Sequence, residues 1–160
     1  MRTRSTEARI FLSDGYQIKC KLLIAADGRD SKIRKHFKIR TRRTEFDQLA
    51  LSFAVSHTQS HENISTEVHK IGGPFTLVPL PDHEGSPSSA VIWMDKVAEI
   101  RALQILAIED FNAAITERSG HVNGNLKLVT ARSVWPIISQ LSDRFDAERT
   151  AFIGETAHVV

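Results

Sequence analysis

Residues 22–34, LLIAADGRDSKIR, constrain the fold of this chain most strongly. Every position from 22 to 26 is apolar, which suits a strand covered on both faces, as in the central sheet of a nucleotide-binding domain. Asp27-Gly28 then breaks the strand. Asp30 or Ser31 can cap a short helix from Lys32 to about Phe37 by accepting a bond from an orphan backbone N–H. Upstream, residues 8–13 and 17–26 flank Asp14-Gly15, a pair that supplies the positive φ angles of a tight turn, so a hairpin is predicted.

The middle of the chain reads as sheet and then helix. Apolar residues alternate over 47–58, placing Leu49, Leu51, Phe53 and Val55 on one face of a half-buried strand. Strand signals recur over 64–71, 75–80 and 88–94, separated by Gly72-Gly73-Pro74 and the polar loop 81–87. Short connections between consecutive strands imply an antiparallel sheet. Residues 96–118 switch to helical spacing, with Leu103, Leu106, Ile108, Phe111 and Ile115 as one apolar stripe ended by Ser119-Gly120. A last long strand over 126–135 is expected to stop at Pro136, and residues 149–153 form a short apolar strand leading into Gly154.

Charge and composition narrow the function classes. With 41% apolar and 25% charged residues in 160, the chain can bury one sizeable core. No stretch approaches the roughly 18 uncharged apolar residues of a membrane span, and residues 1–10 lack the apolar core of a signal peptide, so a cytoplasmic location is expected. The lone Cys20 excludes an internal disulfide and a multi-cysteine zinc site. Residues 1–45 hold 13 Lys/Arg against 5 Asp/Glu, and the remainder 8 against 14. The basic run 29–43 (RDSKIRKHFKIRTRR) raises a nucleic-acid or polyanion partner. Phe37 is its only aromatic and no DNA-binding motif accompanies it, so no nucleic-acid partner is expected. His57 and His61 have an i, i+4 spacing with no acid at a ligand position, and no metal site is expected.

Two strand-to-turn junctions carry the chemistry: Ala26-Asp27-Gly28 and Ile153-Gly154-Glu155. Each delivers a small residue and an acid to the carboxyl edge of a sheet, where cofactors bind. Glycine lets a backbone approach closely, a carboxylate accepts bonds from ribose hydroxyls, and a following helix N-terminus can face a pyrophosphate. Residues 26–34 (ADGRDSKIR) resemble the A-D-G-x-x-S-x-[VI]-R motif of the single-component FAD-dependent aromatic hydroxylases, the p-hydroxybenzoate hydroxylase family. About 120 residues on, 152–158 (FIGETAH) resemble that family's G-D-A-A-H motif. Gly72-Gly73-Pro74-Phe75, then Leu77-Val78-Pro79-Leu80 and Val91-Ile92-Trp93, look like its ubiquinone-biosynthesis branch.

The resemblance implies an α+β fold: an antiparallel or mixed substrate-domain sheet with covering helices, plus flanking strands of an incomplete, Rossmann-like FAD-binding domain. Residues 1–44 would belong to the FAD-binding domain, 45–136 to the substrate-binding sheet and 137–160 to a return to the FAD-binding domain. It implies FAD and NAD(P)H as cofactors, O2 and a small aromatic substrate, here a (poly)prenylated phenol that is hydroxylated, and peripheral membrane association through that lipophilic substrate as an alternative location. Cofactor roles fall on Asp27, Gly28, Ser31, Arg34, Gly154, Glu155 and His158, with Arg34 meeting an anion directly and Glu155 standing where the family mostly has Asp. Phe75, Leu77 and Trp93 are candidates for lining the substrate pocket, against an ordinary reading as core residues. No side chain in the segment must act as acid or base. Neither a Gly-x-Gly-x-x-Gly nor a Pro/Gly-rich stretch after the second motif is present, so an interior piece of a longer enzyme, binding FAD poorly alone, is expected. Two alternatives stay open: a same-fold flavoprotein with another aromatic substrate or reductase activity, and a non-catalytic module binding a polyanion or protein.

Overall fold

A computed structural model describes residues 1–159. The chain divides into two compact units, Met1–Glu45 with Ile138–Val160, and Phe46–Ile137.

The first unit opens with a small antiparallel sheet of β1 (Arg2–Thr3), β2 (Ala8–Phe11) and β3 (Gln17–Cys20), closed by the Asp14-Gly15 turn as predicted. Asp14 Oδ1 accepts from the Tyr16 amide at 3.0 Å, the local bond that makes Asp a turn former. The strand predicted over 17–26 is two strands. β3 ends at Cys20, and β4 (Leu23–Ala25) pairs elsewhere. The run 22–26 is not covered on both faces: Ala25 is fully buried, while Leu22 and Ile24 are about half exposed. Helix α1 (Lys32–His36) follows with Ser31 as its N-cap.

The second unit is built on β5 (Thr41–His57), whose later residues alternate as expected, with Leu49, Leu51, Phe53 and Val55 all buried. β6 (Thr66–Lys70), β7 (Gly73–His83) and β8 (Ser86–Lys96) make an antiparallel sheet in the order β6-β7-β8-β5. The expected polar loop 81–87 shrinks to a two-residue turn, Glu84-Gly85, both with positive φ, because that twist matches the flanking strands.

The predicted single helix over 96–118 is two: α2 (Val97–Ile105) and α3 (Ile108–Ser119), with Leu106 and Ala107 extended between them. Arg132 holds the break open. Its guanidinium donates to the Leu103 and Leu106 carbonyls at 2.9 and 2.7 Å and lies over the Phe111 ring, satisfying the orphan carbonyls at the end of α2. Ile108 is therefore exposed, whereas Ile100, Phe111 and Ile115 pack on Leu51, Phe53, Val55, Phe75, Leu77 and Val91. Gly120 ends α3 in the left-handed region, φ +66°.

β9 (Leu126–Leu128) pairs with the end of β5. Pro136 does not stop a strand but lies within β10 (Ser133–Ser142). The chain returns to the first unit through β11 (Asp146–Ala147), β12 (Thr150–Phe152), a 3-10 turn at Gly154–Thr156 and β13 (His158–Val159). β12 pairs with β4 in parallel, and β13 pairs with β10. The helix expected to follow Gly154 is thus a single 3-10 turn leading into a strand.

Candidate functional site

The two sequence junctions meet in space. Phe152 of β12 stands opposite Ala25 of β4, and the Ile153 amide donates to the Ala25 carbonyl at 3.0 Å, so both strands deliver their carboxyl ends to one edge. Just past that edge each chain turns through a glycine in the left-handed region, Gly28 at φ +85° and Gly154 at φ +56°. A side chain would strain either turn. No heavy atom lies within 4 Å of where a Cβ would stand on either glycine, so the backbone is open to close approach.

Beneath these turns is a latch that joins the exposed Asp27 to the buried Ser31, Arg34 and Thr156. Asp27 accepts from the Ser31 hydroxyl at 2.6 Å and from the Lys32 and Ile33 amides at 2.8 and 3.2 Å. Ser31 Oγ in turn accepts from the Arg34 amide at 2.9 Å. The first-turn N–H groups of α1 are therefore all satisfied internally and do not face outward to an anion. Burial pushes the Asp27 carboxyl up, but bonds from Ser31, from the Ile33 amide and its own, and from Thr156 outweigh it and hold its pKa below the ordinary 3.8.

Arg34, 4% exposed, is part of the same latch and does not meet an anion directly as the sequence suggested. It donates to the Thr156 and Arg29 carbonyls, at 2.8 Å for the first, so carbonyl dipoles meet its charge and no face is left to solvent. Thr156, fully buried, has its hydroxyl within 3.2 Å of Asp27 and 3.3 Å of the Gly28 carbonyl, and its own carbonyl also accepts from Ser142 at 3.0 Å. Gln140 adds a bond to the Arg29 carbonyl at 3.0 Å. Sequence reasoning missed Thr156, Gln140 and Ser142. Thr156 lies inside the second motif and could have been found there; Gln140 and Ser142 are ordinary strand residues that only the pairing of β10 and β13 brings in.

What remains outward is Asp27, Gly28, Arg29, Gly154, Glu155 and His158, with Gly28 and Arg29 half-buried. Arg29 and Glu155 form a forked ion pair, Nε to Oε2 at 3.1 Å and Nη2 to Oε1 at 3.2 Å. His158 is exposed on β13, opposite Leu141.

The sequence candidates for substrate contact lie elsewhere. Phe75, Leu77 and Trp93 are at most 7% exposed and sit in the helix-covered core of the second unit, with Phe75 and Trp93 edge to face at 5.5 Å. The reason is register: the sheet face they share is the one α2 and α3 cover. The other face carries Ser52, Ala54, Thr76, Val78, Ala90 and Ile92, which are directly paired across β5, β8 and β7. Val78 and Ile92 are each 41% exposed, and Trp135 beside them, 54% exposed, donates from Nε1 to Ser52 Oγ at 2.9 Å. His57 is buried, with Nδ1 2.7 Å from the Gln59 carbonyl and Nε2 3.0 Å from Ser89 Oγ, and among the described residues no group of three or more His, Cys, Asp or Glu is arranged to hold a metal ion.

A sequence profile of the FAD binding domain matches residues 3–160. The ubiquinone hydroxylase UbiL of Rhodospirillum rubrum is 30% identical over 147 residues, which is 92% of this chain and 33% of that protein. The ubiquinone hydroxylase UbiM of Neisseria meningitidis is 27% identical over 157 residues, 98% of this chain and 33% of that protein. The chain thus spans about a third of the length of these curated relatives. Among solved structures, the flavin-dependent monooxygenase PieE, in complex with FAD and substrate, matches with a TM-score of 0.66 at 16% identity, covering 98% of this chain and 28% of that one; that likeness is one of fold.

Proposed function

The chain belongs to the family of FAD binding domains, and from that premise we propose that it carries part of the flavin and substrate sites of a monooxygenase that hydroxylates a prenylated phenol in ubiquinone biosynthesis. The observation that carries the proposal is the pair of open glycine turns at the carboxyl edge of β4 and β12, held from beneath by a fully satisfied latch. The fit to FAD is chemical: two approachable backbone segments, one exposed carboxylate and one guanidinium suit a ribose and diphosphate. Gly28, Gly154 and Glu155 would hold the cofactor, with His158 and the exposed Asp27 at the rim, while the buried Ser31, Arg34 and Thr156 fix the turns without touching it. Bound there by Gly28, Gly154 and Glu155, FAD would supply the redox chemistry of an NAD(P)H- and O2-dependent ring hydroxylation. The names of the two ubiquinone hydroxylases support the substrate class, and the motif resemblance supports NAD(P)H.

The chain's own residues orient and exclude water. Glu155 can accept from ribose hydroxyls. The face of Val78, Ile92 and Trp135, replacing Phe75, Leu77 and Trp93 in the substrate role, offers apolar contact to a prenylated ring, and Ser52 fixes the indole edge. Among the described residues no helix is long and apolar enough to cross a membrane. A lipophilic substrate would still bring the protein to a bilayer surface. The test is to purify the protein in the full length its gene encodes, read its flavin absorbance, and assay NAD(P)H oxidation and ring hydroxylation with a prenylated phenol. A protein that takes up no FAD sinks the proposal; one that is yellow but unresponsive to phenols favours the same fold with another substrate.

A further inference from the structure

The Arg29–Glu155 fork explains why this chain carries Glu where the family motif has Asp. The two residues follow the two glycine turns, one on each strand end, and their side chains close across the gap between turns. Arg29 is not free to choose this position. Its carbonyl is fixed by Arg34 and Gln140, and its side chain is 29% exposed against 50% for Glu155, so the cation lies beneath and the carboxylate above. An Asp at 155 would withdraw the carboxylate by roughly 1.5 Å, one C–C bond, and could not keep both contacts without movement of a turn. Glu155 and Arg29 are therefore a matched pair, and bidentate geometry is the form in which an exposed ion pair holds a carboxylate in one orientation.

We infer that Arg29 is a positioning residue of the flavin site: through this fork it fixes the Glu155 carboxylate at the strand end and neutralises it, so that an anionic dinucleotide meets an ion pair and not a lone negative charge. The inference rests on the reading of this edge as the FAD site. Each carboxylate oxygen of Glu155 keeps a second lone pair after accepting from Arg29, which leaves it able to accept from a ribose hydroxyl. Lysine in place of Arg29 would keep the charge and lose the fork.

The test is FAD binding to the full-length apoprotein, followed by quenching of flavin fluorescence at several salt concentrations. The variants are Arg29→Gln, Arg29→Lys, Glu155→Asp, Glu155→Gln and the double variant Arg29→Gln/Glu155→Gln. Arg29→Gln is expected to weaken FAD about fivefold at low salt, the size of an exposed like-charge contact. Added salt should recover part of that loss, because it screens the exposed carboxylate. Arg29→Lys should fall between. Glu155→Gln combined with Arg29→Gln should abolish the salt-dependent part, and Glu155→Asp should weaken binding in the wild-type background but hardly at all in a second double variant, Arg29→Gln/Glu155→Asp. A purely structural role for Arg29 would instead lower the melting temperature of the apoprotein and leave the salt response of FAD binding as in wild type. If wild type binds FAD and the Arg29→Gln constant stays within twofold of it at all salt concentrations, the inference is overturned and the flavin site stands. If wild type binds no FAD, both fall.

Discussion

Asp27 shows how one exposed side chain ties two segments of the site together. It links three consecutive residues of the α1 start to Thr156 across the strand pair, and its carboxylate is held ionised by those bonds. Since the folded pKa is depressed, the stability it contributes is present above the ordinary value of 3.8 and is lost as pH falls through the lower folded value. Asp27→Asn should therefore lower the melting temperature near neutral pH, with the gap to wild type closing below about pH 4; a gap that is constant from pH 7 to pH 3 would contradict this assignment. The motif residues Asp27, Ser31 and Arg34 were legible in the sequence as a group, but the burial of Ser31 and Arg34 beneath an exposed Asp27 was not. Burial of Arg34 depends on Thr156 and Ser142, more than a hundred residues away.

Among the elements, the sheet of the second unit was the most readable, because strict alternation over β5 marks one buried face whatever the neighbours are. Which face the helices take was not readable, so Phe75, Leu77 and Trp93 carried both a pocket and a core reading, and the structure buries them in the core. The break between α2 and α3 was equally hidden: no Gly or Pro marks residues 106 and 107, and its cause is Arg132, a cap supplied from 26 residues further on. Phe111 packs against Phe53 at 5.0 Å and under Arg132, with no exposed surface. Phe111→Ala should cost about 3–5 kcal/mol, read from the midpoint of chemical denaturation. On the opposite sheet face Trp135→Ala removes a half-exposed indole and should leave stability nearly unchanged, while raising KM for a prenylated phenol severalfold with little effect on FAD affinity. A loss of FAD binding instead would show that this face does not carry the substrate.

For the whole molecule, the charge asymmetry of the sequence follows the two units. Met1–Glu45 with Ile138–Val160 holds 15 Lys/Arg against 9 Asp/Glu, and Phe46–Ile137 holds 6 against 10. A cationic unit should draw an anionic dinucleotide, so the association rate of FAD should fall as salt rises from 20 to 300 mM, by roughly severalfold, in stopped-flow quenching. A rate independent of salt would assign the basic run to another role, such as an anionic protein partner. Local patterning was enough to specify the hairpin, the alternating sheet, the glycine turns and the two motifs, since each depends on residues within a few positions of one another. The parallel pairing of β4 with β12, the covered face of the sheet and the Arg29–Glu155 fork arise from contacts over 26 to 129 residues of chain. Such contacts leave no periodic or spacing signal, because the energy that selects them comes from burial and pairing that exist only once the chain has closed on itself.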